Sequence, residues 1–234
     1  MKKYLYDIAA LACAAVALAG CIQNEEWTSG TLIRFGAATQ AEDLTRTEYG
    51  AIVDGSPRKQ MVNWCANDTL RIVCAQASTA EAGTSTSADY KTSAGVRYNS
   101  SAESRATLTL AGNNDKGLRW GSTTEAHTFY AVYPSPTAKS GVALTTDGGL
   151  TGRIPAVQEV DDINNASPYT AMPDMKNQYM VAKRTVEAGK QKIGADEVFL
   201  NFTPITTAIQ FGIKNGMTSD LGIQSIQIIS ASKK

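Results

Sequence analysis

Few side chains in this 234-residue sequence stand at spacings that support chemistry, and the first of them is Cys21. Leu18-Ala19-Gly20 comes directly before it. An apolar, charge-free run from Ile8 to Ala19 and a basic start, Met1-Lys2-Lys3, come before that. A spanning helix needs about 20 apolar residues, so the run is too short to cross a bilayer. Its length and its small-residue end are those of a signal peptide. Ala19 and Gly20 fit a narrow peptidase site that cuts between Gly20 and Cys21, and Cys21 offers the thiol that receives diacylglycerol. Leu-Ala-Gly-Cys fits the lipobox of bacterial lipoproteins in this respect. Each buried methylene of an acyl chain adds about 0.8 kcal/mol, and two or more chains make a stable anchor. The expected mature chain begins at Cys21, tethered to a membrane and not spanning it.

The remaining reactive side chains form no constellation. The single histidine, His127, stands at the mouth of an apolar run and reads as structural. Without a second histidine there is no His-based metal cluster and no HExxH helix. Gly148-Gly149-Leu150-Thr151-Gly152 neither follows a clear strand nor opens a helix, so it fails the context test for a phosphate loop. Asp161-Asp162 is a carboxylate pair only in sequence, since adjacent strand residues face opposite sides. Asp68-Thr69-Leu70 matches a pattern of bacterial O-glycosylation. With Cys13 in the leader and Cys21 acylated, Cys65 and Cys74 remain, and they lack CxxC spacing. A hairpin turn at Asn67-Asp68 would leave them about 13 Å apart along the strands, beyond the ~7 Å reach of a disulfide. A turn elsewhere would let them close; the expectation is two buried thiols. Nothing here indicates an enzyme, a cofactor or a metal.

Composition fits that reading. The 22 basic and 22 acidic residues balance, and removing residues 1–20 leaves 20 basic against 21 acidic residues, a formal charge of −1. No electrostatic case for nucleic acid follows. The body is rich in Gly, Ser, Thr and Ala, with short β-branched runs between turn residues, and reads as all-β. Residues 22–30 form a polar tether containing Glu25-Glu26. In Thr31 to Gly36, Leu32 and Arg34 alternate with Ile33 and Phe35, so one face of a strand can be buried. A polar loop follows, with Arg46-Thr47 in a stretch suited to proteolytic nicking. Leu70, Ile72 and Cys74 share a strand face, and residues 78–104 read as a surface loop or a sparsely packed hairpin. His127 to Tyr133 is apolar on both faces, as in a central strand, and Pro134 ends it. Gln178 to Ala182, Val198 to Phe202, Ile209 to Ile213 and Ile226 to Ile228 complete the strand series.

The order of these pieces carries a resemblance. A lipobox is followed by the "LIRFG" strand and the Thr45-Arg46 pair. Next come Trp64 with "DTLRI" (Asp68 to Ile72), and Trp120 with "HTFYAVYP" (His127 to Pro134). "YMVA" (Tyr179 to Ala182) and "VFLNFTPITTAIQFGI" (Val198 to Ile213) close the series. It resembles the fimbrillin family, the Mfa-like type V pilins of Bacteroides-type bacteria. The resemblance implies a transthyretin-like β-sandwich of mostly antiparallel strands and export as an outer-membrane surface lipoprotein. It also implies cleavage between Arg46 and Thr47 and removal of a first strand that includes Leu32 to Phe35. A neighbouring fimbrial subunit's strand would fill the groove, and the assembled fimbria would adhere to host or bacterial surfaces. The expected organisation is a signal peptide (1–20), a tether and removable strand (21–46), an N-terminal β-sandwich domain (47–190), and further strands (191–234). That last segment either begins a second sandwich or completes the first. With the chain stopping at Lys234, the expectation is an acceptor of strands and a poor donor. The alternative reading is a non-polymerising surface lipoprotein that binds glycan or host protein.

Overall fold

The computed structural model describes residues 30–39, 48–53, 59–93, 96–97, 104–112, 116–154, 156, 160–161, 172–173, 178–191, 198–206, 214 and 216–218. Among these there is no helix. The strands are β1 (Phe35–Thr39), β2 (Glu48–Val53), β3 (Lys59–Asn63), β4 (Thr69–Val73), β5 (Ser87–Thr92), β6 (Val96–Arg97) and β7 (Ser104–Leu110). They continue with β8 (His127–Tyr133), β9 (Ala143–Leu144), β10 (Leu150–Thr151), β11 (Val160–Asp161), β12 (Met172–Pro173), β13 (Met180–Val186) and β14 (Val198–Pro204). The chain is all-β and its pairing is mostly antiparallel, as the alternating pattern predicts.

Seven strands close into a ring in the order β1-β14-β13-β8-β4-β5-β7, with β1 pairing back onto β7. Among the described residues the one parallel contact is β1 with β14, Phe35↔Val198 to Thr39↔Phe202. Two strands change partner along their length. β7 pairs with β5 through Leu108–Leu110 and with β1 through Ser104–Thr107. β14 pairs with β1 through Val198–Phe202 and with β13 through Thr203–Pro204. β6 extends the β5 edge of β7 after a one-residue shift in register, from Thr92↔Leu108 to Val96↔Arg105. β2 and β3 form a separate hairpin, as do β9 and β10.

The ring encloses one apolar core. Phe35, Leu70, Ile72, Phe129, Met180, Leu200 and Phe202 are fully buried in it. Its aromatic rings meet edge to face: Phe35 with Tyr90 (5.2 Å between centroids) and with Phe129 (5.3 Å), and Trp64 with Phe202 (5.1 Å). That geometry sets the positive ring edge against the negative face. β8 is central, flanked by β4 and β13. Phe129, Ala131 and Tyr133 enter the core, whereas Val132 on its other face joins Val142 and Tyr179 in a second cluster with Leu144 and Leu150. Both faces of β8 are therefore covered, as its sequence predicts.

Residues 78–104, expected as a surface loop or a sparsely packed hairpin, instead contribute β5, an inner strand between β4 and β7. Its Tyr90 is buried, and its hydroxyl oxygen accepts the Leu118 N–H at 2.9 Å. Beside it, Asp89 lies opposite Arg71 and forms a two-point ion pair at 2.7 and 2.8 Å. A turn occupies residues 65–68, the Asp68 N–H donating to Cys65 O at 3.4 Å, with Asn67 at φ 69°, in the left-handed region that Asn tolerates better than most residues. Asp68 anchors it by accepting the Cys65 N–H (2.7 Å) and the Tyr133 hydroxyl (3.1 Å). It is not a hairpin, because β3 pairs with β2 and β4 with β5 and β8.

Candidate functional site

The site is the seat of the first strand. The strand begins as an antiparallel ladder in which the Gly30 and Ile33 amides donate to the Trp120 and Leu118 carbonyls (2.7 and 3.0 Å). The Trp120 amide returns a bond to Thr31 O at 2.9 Å. The chain then moves between two other strands: Val198 N donates to Arg34 O (2.9 Å), and β1 runs on between β14 and β7. The expected alternation holds at the start, with Ile33 and Phe35 buried and Leu32 45% exposed. The strand differs from expectation by continuing to Thr39, with all five residues of β1 buried.

The two faces of β1 are filled differently. Phe35 and Ala37 face the core, and the Thr39 hydroxyl donates to Ser104 O at 3.5 Å. Gly36 is level with Phe199 on β14, and Ala38 with Arg105 on β7. The Arg105 guanidinium lies 5.4 Å from the Phe199 ring centroid, a cation–π contact that reaches across β1. Ala38 is buried beneath it. Small side chains at 36 and 38 are what this cover leaves room for. Withdrawal of β1 would expose unpaired donors and acceptors on both β7 and β14 beside an apolar trough, a template for another strand.

Gly20, Cys21, Arg46 and Thr47 lie outside the described residues, as do Asp162 and the strands expected at Ile209 to Ile213 and Ile226 to Ile228. Asp161 pairs with Met172 in a two-stranded ladder. Gly148 to Gly152 belongs to the β9–β10 hairpin, where Thr145 N donates to Gly149 O at 2.9 Å. Gly148 has φ +91°, and a Cβ there would fall 2.5 Å from the Tyr130 ring. Thr69 opens β4, its hydroxyl donating to Asn67 O at 3.3 Å. Among the described residues no group of three or more His, Cys, Asp or Glu is placed to hold a metal. Nor is any described helix long and apolar enough to cross a membrane.

Cys65 and Cys74 are not joined by a disulfide, and Cys74 is buried but Cys65 only half-buried, which corrects the expectation of two buried thiols. Burial pushes the Cys74 thiol up to about 11, so it is un-ionised and a poor nucleophile. His127 is fully buried. Its Nε2 accepts the Gly121 N–H at 2.9 Å, and its Nδ1 lies 3.1 Å from Glu125 O, which assigns the proton to Nδ1. Desolvation lowers its proton affinity below the ordinary value, with the Glu125 carbonyl and carboxylate opposing. Sequence reasoning missed the Asp89 cluster, where the Thr137 hydroxyl joins the Arg71 pair at 2.6 Å. Burial raises the Asp89 carboxyl, but Arg71, Thr137 and Ser135 outweigh it and hold the group below the usual carboxylate range. The cross-strand pairing that forms this cluster is non-local, and a single sequence gives no signal for it.

Comparison of the chain with family models, curated proteins and solved structures finds no match.

Proposed function

We propose that the protein is a structural subunit of a fimbria, exported as an outer-membrane surface lipoprotein through Cys21 and assembled by strand replacement. The observation that carries this reading is the seat of β1, bonded on one edge to β14 and on the other to β7. Cleavage between Arg46 and Thr47 frees the first strand, and a strand from a neighbouring fimbrial subunit takes its place. Main-chain hydrogen bonds supply affinity and alternate side-chain pockets supply register. Adhesion to a host or bacterial surface is the function of the assembled fibre. The ring is read more finely as a transthyretin-like sandwich. Supporting this, β7 and β14 each change partner midway, as strands do at the corners between packed sheets. One wall is then β13-β8-β4-β5 and the other β14-β1-β7. Of the aromatic side chains whose burial is described, Phe199 alone is exposed, at 40%. The rest serve packing, which favours the fibre subunit over a glycan-binding platform.

The test uses purified protein and an arginine-specific protease, with mass spectrometry to locate the cut and Arg46→Ala as control. Cleaved protein mixed with a full-length member of the resembled family is expected to enter its detergent-resistant oligomers, while uncleaved and Arg46→Ala protein stay out. Cleavage after Arg46 without incorporation contradicts the proposal.

A further inference from the structure

We propose that His127 is an acid-operated latch on the leading half of the first strand. Its neutral ring bonds at both nitrogens, Nδ1–H to Glu125 O (3.1 Å) and Nε2 to the Gly121 N–H (2.9 Å). A proton taken from solvent can go only to Nε2, which places N–H against N–H and breaks the bond to Gly121. Gly121 is packed so closely against Gln76 O that a Cβ built on it would sit 2.0 Å away, so the loss of its bond to the ring is taken up together with its neighbour Trp120, whose ring packs edge-on to His127 at 5.1 Å. Trp120 is the residue that bonds Gly30 and Thr31, and Leu118 two positions earlier bonds Ile33. Displacing Gly121 thus unzips residues 30–33, while β1 itself stays held between β14 and β7. Arg119 retains a separate grip, its Nη1 donating to Gly30 O at 2.6 Å.

The surroundings leave His127 as the group that responds. From the 121–126 loop the Glu125 carboxylate faces it and favours the charged ring. From the turn after β4 come the Gln76 carbonyl, which also favours the charged ring, the Gln76 side-chain amide, and the un-ionised Cys74 thiol, which donates to Gln76 Oε1 at 3.6 Å. From the segment after β13, Gln191 Nε2 lies 3.4 Å from Nδ1, and Glu187 and Lys190 are exposed. Trp120 and Phe129 supply uncharged rings. The sign follows from burial. With the closed state holding the proton less tightly than the open one, closure is fully favoured above the ordinary histidine value of about 6.5. Below it the opening constant rises by up to tenfold per pH unit until the closed-state value is passed.

The experiment is amide hydrogen exchange on the intact chain between pH 8 and pH 5, corrected for intrinsic rates. NMR of the imidazole runs beside it, and His127 is the only histidine, so it gives a single signal. Gly30, Ile33, Trp120 and Gly121 are expected to lose protection together, at least tenfold, while the β8–β13 ladder keeps its protection. In His127→Gln, whose Oε1 can still accept from Gly121, the four amides should not respond to pH. If that variant does not fold, the Trp120 indole signal of the wild-type chain must shift with the imidazole midpoint. Unchanged protection of the four amides, loss shared equally by every strand, or an imidazole titration without a Trp120 response each overturns the latch.

Discussion

Phe129 is the side chain on which the core converges. It meets Phe35 edge-on at 5.3 Å and Trp120 at 5.7 Å, and it is fully buried. Truncation to Ala removes those contacts and leaves a cavity that a closed ring of strands cannot collapse. Phe129→Ala should therefore cost about 3–5 kcal/mol in urea unfolding. Asp89 carries a different burden, because its buried carboxylate is satisfied by Arg71, itself 26% exposed at the side chain, and by Thr137. Its depressed folded value means that its stabilisation is complete above the unfolded value near 3.9 and is lost as pH falls through the folded one. Asp89→Asn should be less stable than wild type by about 1–3 kcal/mol at pH 7. The gap should narrow below about pH 4, as denaturant midpoints at pH 7 and pH 3 would report.

At the scale of the element, β1 is defined by what its neighbours place over it. Ala38 is buried under the Arg105–Phe199 contact, whereas Leu32 is largely exposed. Ala38→Leu should cost about 1–3 kcal/mol through overpacking, and Leu32→Ala should fall within about 0.5 kcal/mol of wild type, both read from thermal or urea midpoints. The same strand marks where sequence reading stops. Ile33 and Phe35 alternate visibly with Leu32 and Arg34, but Gly36-Ala37-Ala38-Thr39 has no alternation, and its burial comes from residues on β7 and β14. β8 and β14 were legible for the opposite reason: large apolar side chains at every second position can serve only a covered face. β5 was hidden because Tyr90 is its one large apolar residue, and its polar Asp89 is buried by pairing with Arg71 across strands. Cys65 and Cys74 are unbridged although the hairpin that would hold them apart is absent, β4 pairing with β5 and β8 instead.

On the scale of the whole molecule, the ring depends on β1. Without it β7 and β14 both present open edges, and the core loses Phe35, Ala37 and Ile33 together. On the proposed function, the protein needs its first strand until it reaches the surface, and a lipid at Cys21 ahead of that strand would deliver it there. Palmitate labelling of cells should mark wild-type protein and not Cys21→Ser, and equal labelling of both would remove the anchor from the account.

The exchangeability of β1 itself is tested most directly by offering the protein its own strand. A fluorescent peptide spanning Thr31 to Gln40 is mixed with purified protein before and after arginine-specific cleavage, and bound label is read by size-exclusion chromatography. Saturable co-elution with the cleaved protein is expected, with no co-elution with the intact one and loss of binding when the Phe35 equivalent in the peptide is Ala. Label excluded from protein cleaved after Arg46, or equally bound before and after cleavage, would contradict it.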